Sequence, residues 1–395
     1  MTATAGRVMD REWLAEARRH RFQVCTTCLM DTSDPGIWFH GDGRCVHCER
    51  LSGVLAAEAF GPATRVFLER RLDRLADAAA AAGRGRPFDC VAGADGSLTS
   101  TYAIWLAWQL GLRVLAVHVD TGWTAAAAER AIRQLQGVDG LTLESVALDQ
   151  RILNDHLLAF LRASTPDADC AVRHAVTAVL LRTARQKRIG SVIVGSSRPS
   201  ARIMPRLWGQ GDDDWRYIRS VRRRFGSGRG GELPHWGWFR MQCWLHQGIR
   251  YLPLADLAGD RLEVAAQSIE RSWGWAPPAA TDRPSVYEAF VRTDLHVTKF
   301  GFEKARADLS TDIVRGTLTR AEALRELERR RPSAEALAEQ RARVAATLGI
   351  NVDELRAMIS LPPRTIHDYP NDRDDLDRDD ATAAVRWIGE PRDPA

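Results

Sequence analysis

Four cysteines near the N-terminus constrain the fold of this chain more than any other feature. Cys25 and Cys28 form one pair, Cys45 and Cys48 form a second, and sixteen residues separate the pairs. Each pair can present two thiolates on one tight turn, and two such turns complete the tetrahedral shell that zinc prefers. Because four cysteines leave no coordination position open, we predict a structural zinc ribbon, with a redox or iron–sulfur site as the alternative.

Composition limits the class of protein. The chain has 395 residues, 45% hydrophobic and 27% charged, which is typical of a soluble protein with two or three structural units. It has no run of about 20 apolar residues, and its first residues lack a signal-peptide core. We therefore expect a cytoplasmic protein without a membrane span. The net charge of +4 is too small to indicate a nucleic-acid partner.

Apolar runs that alternate with amphipathic stretches predict an α/β fold. Strands are predicted at 88–93, 113–119, 141–147 and 191–197. Helices are predicted between them at 98–110, 124–136 and 150–187. This alternation indicates a doubly wound parallel sheet of buried strands, with its ligand site at the carboxyl ends of the strands.

The first of these strand ends is followed by a loop of small residues. The loop runs from Gly93 to Ser100 and opens a helix, so several backbone N–H groups can point at one anion. It has neither the Gly-Lys-Ser/Thr of a Walker loop nor the spacing of a dinucleotide fingerprint. Its spacing alone leaves a phosphate site and an ordinary tight turn equally open.

Six longer segments carry a family resemblance. They are CTTCLMDTSDPGIWFHGDGRCVHC, LAVHVDTGW, LLAFLRASTPD with His174, IMPRLWGQGDDDWRYI, HVTKFGFEKARADLS and MISLPPRTIHDYPND. Together they resemble the N-acetyl sugar amidotransferase family, PP-loop ATP pyrophosphatases of bacterial surface-polysaccharide biosynthesis. The resemblance implies a PP-loop (HUP-like) sheet, and ATP with Mg²⁺ as cofactors beside the zinc.

The resemblance also implies a reaction. ATP adenylates an amide oxygen and releases pyrophosphate, and ammonia then displaces AMP, so that an acetamido group becomes an acetamidino group. A separate glutaminase subunit is the expected ammonia source, and a small molecule such as a nucleotide sugar is the expected substrate. A homo-oligomer is compatible with this reading, whereas a membrane or nucleic-acid partner is not expected.

Roles for individual residues follow from the resemblance. The catalytic candidates are Asp95, Ser97, Thr99, Ser100 and His174. The cofactor-binding candidates are Gly93, Gly96, His118, Asp120, Gly195 and Ser196. The substrate-binding candidates are Arg206, Trp208, Arg216, Lys299 and Lys304. Each candidate also has a purely structural alternative, as a cap, a packed ring or a solvated charge.

The loop departs from the family pattern Ser-Gly-Gly-x-Asp-Ser. Asp95 replaces the first serine, Ser97 the second glycine and Thr99 the aspartate. A carboxylate at 95 would repel phosphate by on the order of a few kcal/mol. A serine at 97 is expected to be strained if its φ is positive, and Thr99 cannot anchor Mg²⁺.

Two alternative functions follow. The altered loop favours a catalytically degenerate homologue that binds a partner, acts as a scaffold or performs related chemistry without ATP cleavage. Arginines in the segment 216–224 are the only local support for a tRNA-modifying enzyme.

The same reading divides the chain into four parts. We expect the ribbon segment in 1–60, the α/β nucleotide-binding domain in 61–235, a helical substrate or interaction region in 236–370 and an acidic tail in 371–395. Within the helical region, Thr319 with Glu322 and Asn351 with Glu354 have the spacing of capping boxes.

Overall fold

A parallel sheet organises the α/β part of the molecule. The structure is a computed structural model that describes residues 22–58, 61–193, 202–205, 208–209, 211–228, 230–237, 249–252, 262–278 and 283–372. The strands are β1 (Cys90–Gly93), β2 (Val114–Asp120), β3 (Leu141–Ala147), β4 (Ser191–Ile193) and β5 (Arg250–Leu252). They pair in the order β3-β2-β1-β4-β5, and every pair is parallel.

This strand order confirms the predicted doubly wound topology. The chain moves outward from β1 to β3 on one side and from β4 to β5 on the other. The direction therefore reverses between β1 and β4, and the carboxyl ends of these two strands flank a crevice.

Helices cover both faces of the sheet. Those before the C-terminal region are α1 (Val46–Glu58), α2 (Gly61–Ala82), α3 (Leu98–Gln109), α4 (Ala126–Leu135), α5 (Gln150–Ala163), α6 (Cys170–Gln186), α7 (Trp215–Phe225) and α8 (Leu262–Trp273). Val91 of β1 faces a core with α5 and α6, whereas Cys90 and Ala92 face a core with α2, α3 and α8. Successive side chains of a strand point to opposite faces, so one short strand serves both cores.

Two sequence predictions need correction. The helix expected over 150–187 is two helices, because Ser164 takes a left-handed conformation (φ 66°) that ends α5, and Pro166 follows. The strand over 141–147 was expected to be buried, but each of its residues is exposed or half-buried. β3 is an edge strand of the sheet and pairs with only one other strand, β2.

The C-terminal region is helical, as predicted. It contains α9 (Val286–Phe290), a π-helix (Val291–Phe300), α10 (Lys304–Arg315), α11 (Arg320–Arg329), α12 (Ala334–Leu348) and α13 (Val352–Ile359). Both predicted capping boxes are present, at Thr319 before α11 and at Asn351 before α13. Among the described residues, no helix has the length and apolar character needed to cross a membrane.

Candidate functional site

The four predicted cysteine ligands converge on one point. Tetrahedral zinc with Zn–S bonds of about 2.3 Å requires sulfur atoms roughly 3.8 Å apart. The Sγ atoms of Cys25 and Cys48 lie 3.8 Å apart, and those of Cys28 and Cys45, and of Cys45 and Cys48, lie 3.7 Å apart. A disulfide would need about 2.05 Å. The four buried sulfurs therefore form a set that could hold zinc.

Backbone amides support these sulfurs. The N–H groups of Thr27, Cys28 and Cys45 donate to Cys25 Sγ over 3.3–3.4 Å, as expected around metal-bound thiolates. The two histidines of the ribbon, His47 and His40, pair with carboxylates. His47 Nε2 lies 2.6 Å from Asp34 Oδ2, and His40 Nε2 lies 3.1 Å from Glu49 Oε2.

The ribbon packs against the C-terminal helices. Leu29 N–H donates to Ser310 Oγ of α10 at 3.0 Å, and Arg306 of the same helix pairs with Asp31 at 3.3 Å. Arg320 of α11 donates to the backbone carbonyls of Cys28 and Cys25. The cysteine cluster thus lies in a segment that docks on α10 and α11.

The loop after β1 is closed by its own side chains. Asp95 Oδ1 accepts hydrogen bonds from the Ser97 N–H at 2.9 Å and from the Ser100 hydroxyl, and Ser97 Oγ accepts from the Ser100 N–H at 3.2 Å. Ser97 is the N-cap of α3, with an extended backbone at φ −76°. The strain expected at Ser97 is therefore absent, because Gly96 takes the positive φ of +79°.

The other candidates at the strand ends make local contacts. His118 Nδ1 lies 3.0 Å from the Ala94 carbonyl oxygen and so donates to the loop. Asp120 Oδ1 accepts from the Gly122 N–H at 2.8 Å. Gly93 packs on Leu180 of α6, whose Cδ1 would lie 3.2 Å from an added Cβ. Thr99 lies in the first turn of α3. Gly195, Ser196 and Arg206 lie outside the described residues.

The remaining candidates make their contacts outside this loop. His174 is stacked between Trp215 and Trp236, with ring centroids 5.5 and 5.2 Å away, and burial lowers the pKa of His174 to about 4. Trp208 is stacked on Phe302 beside the cysteine cluster. Lys299 Nζ donates to the Met358 carbonyl at 2.8 Å, and burial lowers the pKa of Lys299 to about 8.

Arg216 lines an open groove of about 660 Å³. Arg219, Arg223 and Arg224 from the same helix line it too, opposite Tyr369 and Asp372. Arg216 pairs with Asp372 at 3.6 Å, and Arg219 pairs with Glu232 at 3.3 Å. The groove gathers four of the five arginines of α7 on one exposed face, whereas the fifth, Arg222, pairs with Asp155 at 3.0 Å.

A strand-like contact joins the sheet to the C-terminal region. Thr124, just beyond β2, pairs with Ser285 in an antiparallel bridge. Hydrogen bonds of 2.8 Å flank it, from Ala125 N–H to the Pro284 carbonyl and from Val286 N–H to the Trp123 carbonyl. The carboxyl edge of β2 is thereby tied to the start of α9.

A buried charged cluster lies across the same junction. Asp169 and Arg173 of the α6 region form an ion pair, and Arg173 also holds Asp212 through Nε–Oδ2 contact at 2.6 Å. Lys304 and His296 enter from the C-terminal region, and both are buried. Burial opposes ionisation of Asp169, yet Arg173 and Lys304 hold its pKa below the usual value.

Sequence reasoning named only Lys304 from this cluster. Asp169, Arg173 and His296 were missed, although His296 begins HVTKFGFEKARADLS and Asp169 lies two residues after LLAFLRASTPD, two of the segments that carry the family resemblance. Charged and imidazole side chains in or beside those segments were the available signal.

Comparisons with known proteins bear on the same region. Residues 284–385 match the model of a family described as LPS biosynthesis protein WbpG-like, C-terminal domain. A comparison with curated proteins yields no match. Among solved structures, NMN synthetase from Francisella tularensis aligns at 14% identity over 75% of this chain and 96% of that chain, with a TM-score of 0.30, too low to support any argument. The matched family stretch supplies His296 and Lys304 to the buried cluster.

Proposed function

We propose that this chain is an ATP-dependent enzyme of bacterial surface-polysaccharide biosynthesis that installs nitrogen from ammonia on an N-acyl sugar. The observation that carries the proposal is the match of residues 284–385 to a lipopolysaccharide-biosynthesis family. That stretch is tied to the carboxyl edge of the sheet through the pairing of Thr124 with Ser285. A doubly wound sheet offers a nucleotide site at this edge.

The proposed reaction has two balanced steps. The amide oxygen of the substrate attacks the α-phosphorus of ATP, so an O–P bond forms and the bond to pyrophosphate breaks. Ammonia then attacks the amide carbon, the bond from that carbon to the oxygen of AMP breaks, and a proton is lost. In this proposal Gly93, Gly96, Ser100 and Asp120 border the nucleotide, Mg²⁺ accompanies ATP, and a separate glutaminase supplies ammonia.

Isotope transfer tests the proposal. The full chain is incubated with Mg-ATP, ¹⁵N-ammonium and a panel of nucleotide-linked N-acetyl sugars. We expect equal amounts of AMP, pyrophosphate and a product that has gained one ¹⁵N, and no product when ammonia is omitted. If no sugar of the panel elicits pyrophosphate release or ¹⁵N incorporation, the proposal is wrong.

The loop after β1 favours a second function, binding without ATP cleavage. The Asp95 carboxylate already takes hydrogen bonds from Ser97 and Ser100 that an incoming phosphate would need. Under this alternative, wild-type protein binds Mg-ATP weakly and releases no pyrophosphate. Asp95→Ser, which removes the carboxylate, is then expected to tighten Mg-ATP binding at least ten-fold in calorimetry. Wild-type pyrophosphate release would rule this alternative out.

The arginine groove on α7 gives the tRNA hypothesis its structural support. Arg216, Arg219 and Arg223 follow one another at helical spacing along the groove. Binding of tRNA through phosphates must weaken as salt rises, in proportion to the number of contacts. Filter binding of bulk tRNA to wild-type protein and to an Arg223→Ala variant, at 50 and about 200 mM salt, tests for such contacts. We expect a sugar-modifying enzyme to show no tRNA binding in this assay.

A further inference from the structure

The arginine groove on α7 carries more positive charge than its described surroundings balance. Arg216 pairs with Asp372 at 3.6 Å. Arg219 pairs with Glu232 at 3.3 Å. Arg223 is exposed and, within the described residues, makes no hydrogen bond or ion pair. Like charges three or four residues apart on one helix repel each other, so this row destabilises α7 unless anions balance it.

The fourth arginine of the groove, Arg224, has no carboxylate beside it among the described residues. Its guanidinium carbon lies 5.3 Å from the centre of the Phe225 ring and 5.8 Å from that of the Tyr369 ring. Aromatic rings attract a cation but carry no net charge. Arg223 and Arg224 thus leave two positive charges in an open groove of about 660 Å³, a volume typical of ligand-binding clefts.

The chain itself leads its C-terminal residues to this groove. The segment 369–372 runs along α7 from the middle of the helix toward its start. Ser220 Oγ donates to the Pro370 carbonyl at 3.1 Å, and the Asp372 N–H donates to Oδ2 of Asp214, the N-cap of α7, at 2.7 Å. Asp372 lines the groove, and the described residues end there. Whatever follows Asp372 therefore starts at the groove.

The next residues of the sequence carry the opposite charge. Residues 373–380 read RDDLDRDD, with five aspartates and two arginines. Eight residues of extended chain span up to about 26 Å. The helix from Arg216 to Arg223 is only about 10 Å long. Even after a reversal at the start of α7, the aspartates can reach Arg219 and Arg223.

We propose that the acidic segment 374–380 of this chain binds back into the arginine groove, balances its charge and keeps other polyanions out. A nucleic acid that binds through its phosphates has to displace this segment from the same arginines. Covalent attachment favours the segment, because it gives an effective concentration of about a millimolar. This role does not depend on the proposed reaction, since no group of the sheet crevice takes part in it.

Carbodiimide cross-linking of the full chain tests the contact. Arg223→Lys keeps the positive charge and adds a primary amine, which the reagent joins to a nearby carboxylate as an amide with loss of water. We expect mass spectrometry to map this amide from position 223 to an aspartate of 374–380. Arg325→Lys, at an exposed position of α11, is the matched control and should give no link to that segment.

Isotope labelling shows which chain supplies the segment. Equal amounts of ¹⁴N- and ¹⁵N-labelled Arg223→Lys protein are mixed before cross-linking. Links between position 223 and 374–380 that join like isotopes only would support the proposal. Links that join the two isotopes would place the segment of a second copy in the groove and overturn it. The absence of any link from position 223 to 374–380 would overturn it as well.

Neutralising the acidic segment tests whether it excludes polyanions. All five of its aspartates are changed to asparagine in the full chain, and binding of labelled bulk tRNA is measured at about 50 mM salt. We expect the affinity to rise by about five-fold or more. Adding Arg219→Ala and Arg223→Ala should cancel this gain. Adding Arg325→Ala and Arg343→Ala instead, at exposed positions of α11 and α12, changes the net charge equally and should preserve it.

Two results of this assay would contradict the exclusion of polyanions. A gain that survives the loss of Arg219 and Arg223 would be a general effect of charge, with no part played by the groove. Wild-type protein that binds tRNA as tightly as the asparagine variant would have a groove that is open to nucleic acid. Either result would overturn the proposal, whether or not the protein releases pyrophosphate from ATP.

Discussion

At the scale of the residue, Gly96 shows what the loop after β1 requires. It has φ +79°, and an added Cβ would lie 2.5 Å from the Ala128 carbonyl oxygen of α4. Only glycine meets both demands, since a side chain would be strained and would collide with rigid backbone. The close approach of the loop to α4 therefore depends on this residue.

Gly96→Ala should cost about 3 kcal/mol of unfolding free energy, from left-handed strain together with overpacking. Gly111→Ala is the matched control, because Gly111 has φ +75° but no atom within 4 Å of an added Cβ. It should lose only about 1 kcal/mol, the strain alone. Urea denaturation of both variants measures the difference, and equal losses would show that the contact with α4 yields freely.

The sequence could indicate this loop but not its hydrogen bonds. A small-residue stretch between a strand and a helix is a local signal, and it correctly placed the turn. The inward turn of the Asp95 carboxylate depends on where Ser97 and Ser100 sit once the helix has formed. The condition for strain at Ser97, a positive φ, is not met, because Gly96 alone takes the left-handed conformation of the turn.

At the scale of the element, the four-cysteine ribbon packs residues near the N-terminus against helices near the C-terminus. Its four cysteines were predictable because ligand spacing is a local property of sequence. Its docking on α10 and α11 was not, since it depends on contacts such as Leu29 with Ser310, 281 positions apart. The buried cluster escaped prediction for the same reason, because Asp169 and His296 are joined only by the fold.

Removal of one ligand should therefore loosen helices far along the chain. Cys45→Ser is expected to lose bound zinc, and amide hydrogen exchange should rise both in the ribbon and in α10 and α11. Cys90→Ala is the control, since Cys90 is buried in β1 outside the cluster. Elemental analysis with exchange mass spectrometry measures both quantities. Faster exchange confined to the ribbon would contradict the coupling.

At the scale of the whole molecule, buried neutral histidines make stability depend on pH. Burial lowers the pKa values of His156 and His174 to about 4, against an ordinary 6.5. Between these values the unfolded chain binds protons that the folded chain does not. Stability is therefore complete above pH 6.5 and falls as the pH is lowered toward 4, by about 1.4 kcal/mol per pH unit for each histidine.

His156→Phe should flatten this dependence. The change removes one titrating group from the core, so the loss of unfolding free energy between pH 6.5 and 5 should shrink by about 2 kcal/mol relative to wild type. Leu157→Met, a non-titrating change at the fully buried neighbour of His156, serves as the control and should leave the slope unchanged. Chemical denaturation at several pH values measures it, and an unaltered slope in His156→Phe would refute the assignment.

The docking of the ribbon also has a consequence for how the protein is made. Leu29 is fully buried against Leu309 and Leu327, which leave the ribosome about 280 residues later. At about 5–20 residues per second, the finished ribbon waits on the order of tens of seconds with its apolar face uncovered. A chain that stops before residue 284 never covers that face. Aggregation, rather than lost catalysis, would be the first defect of such a truncation.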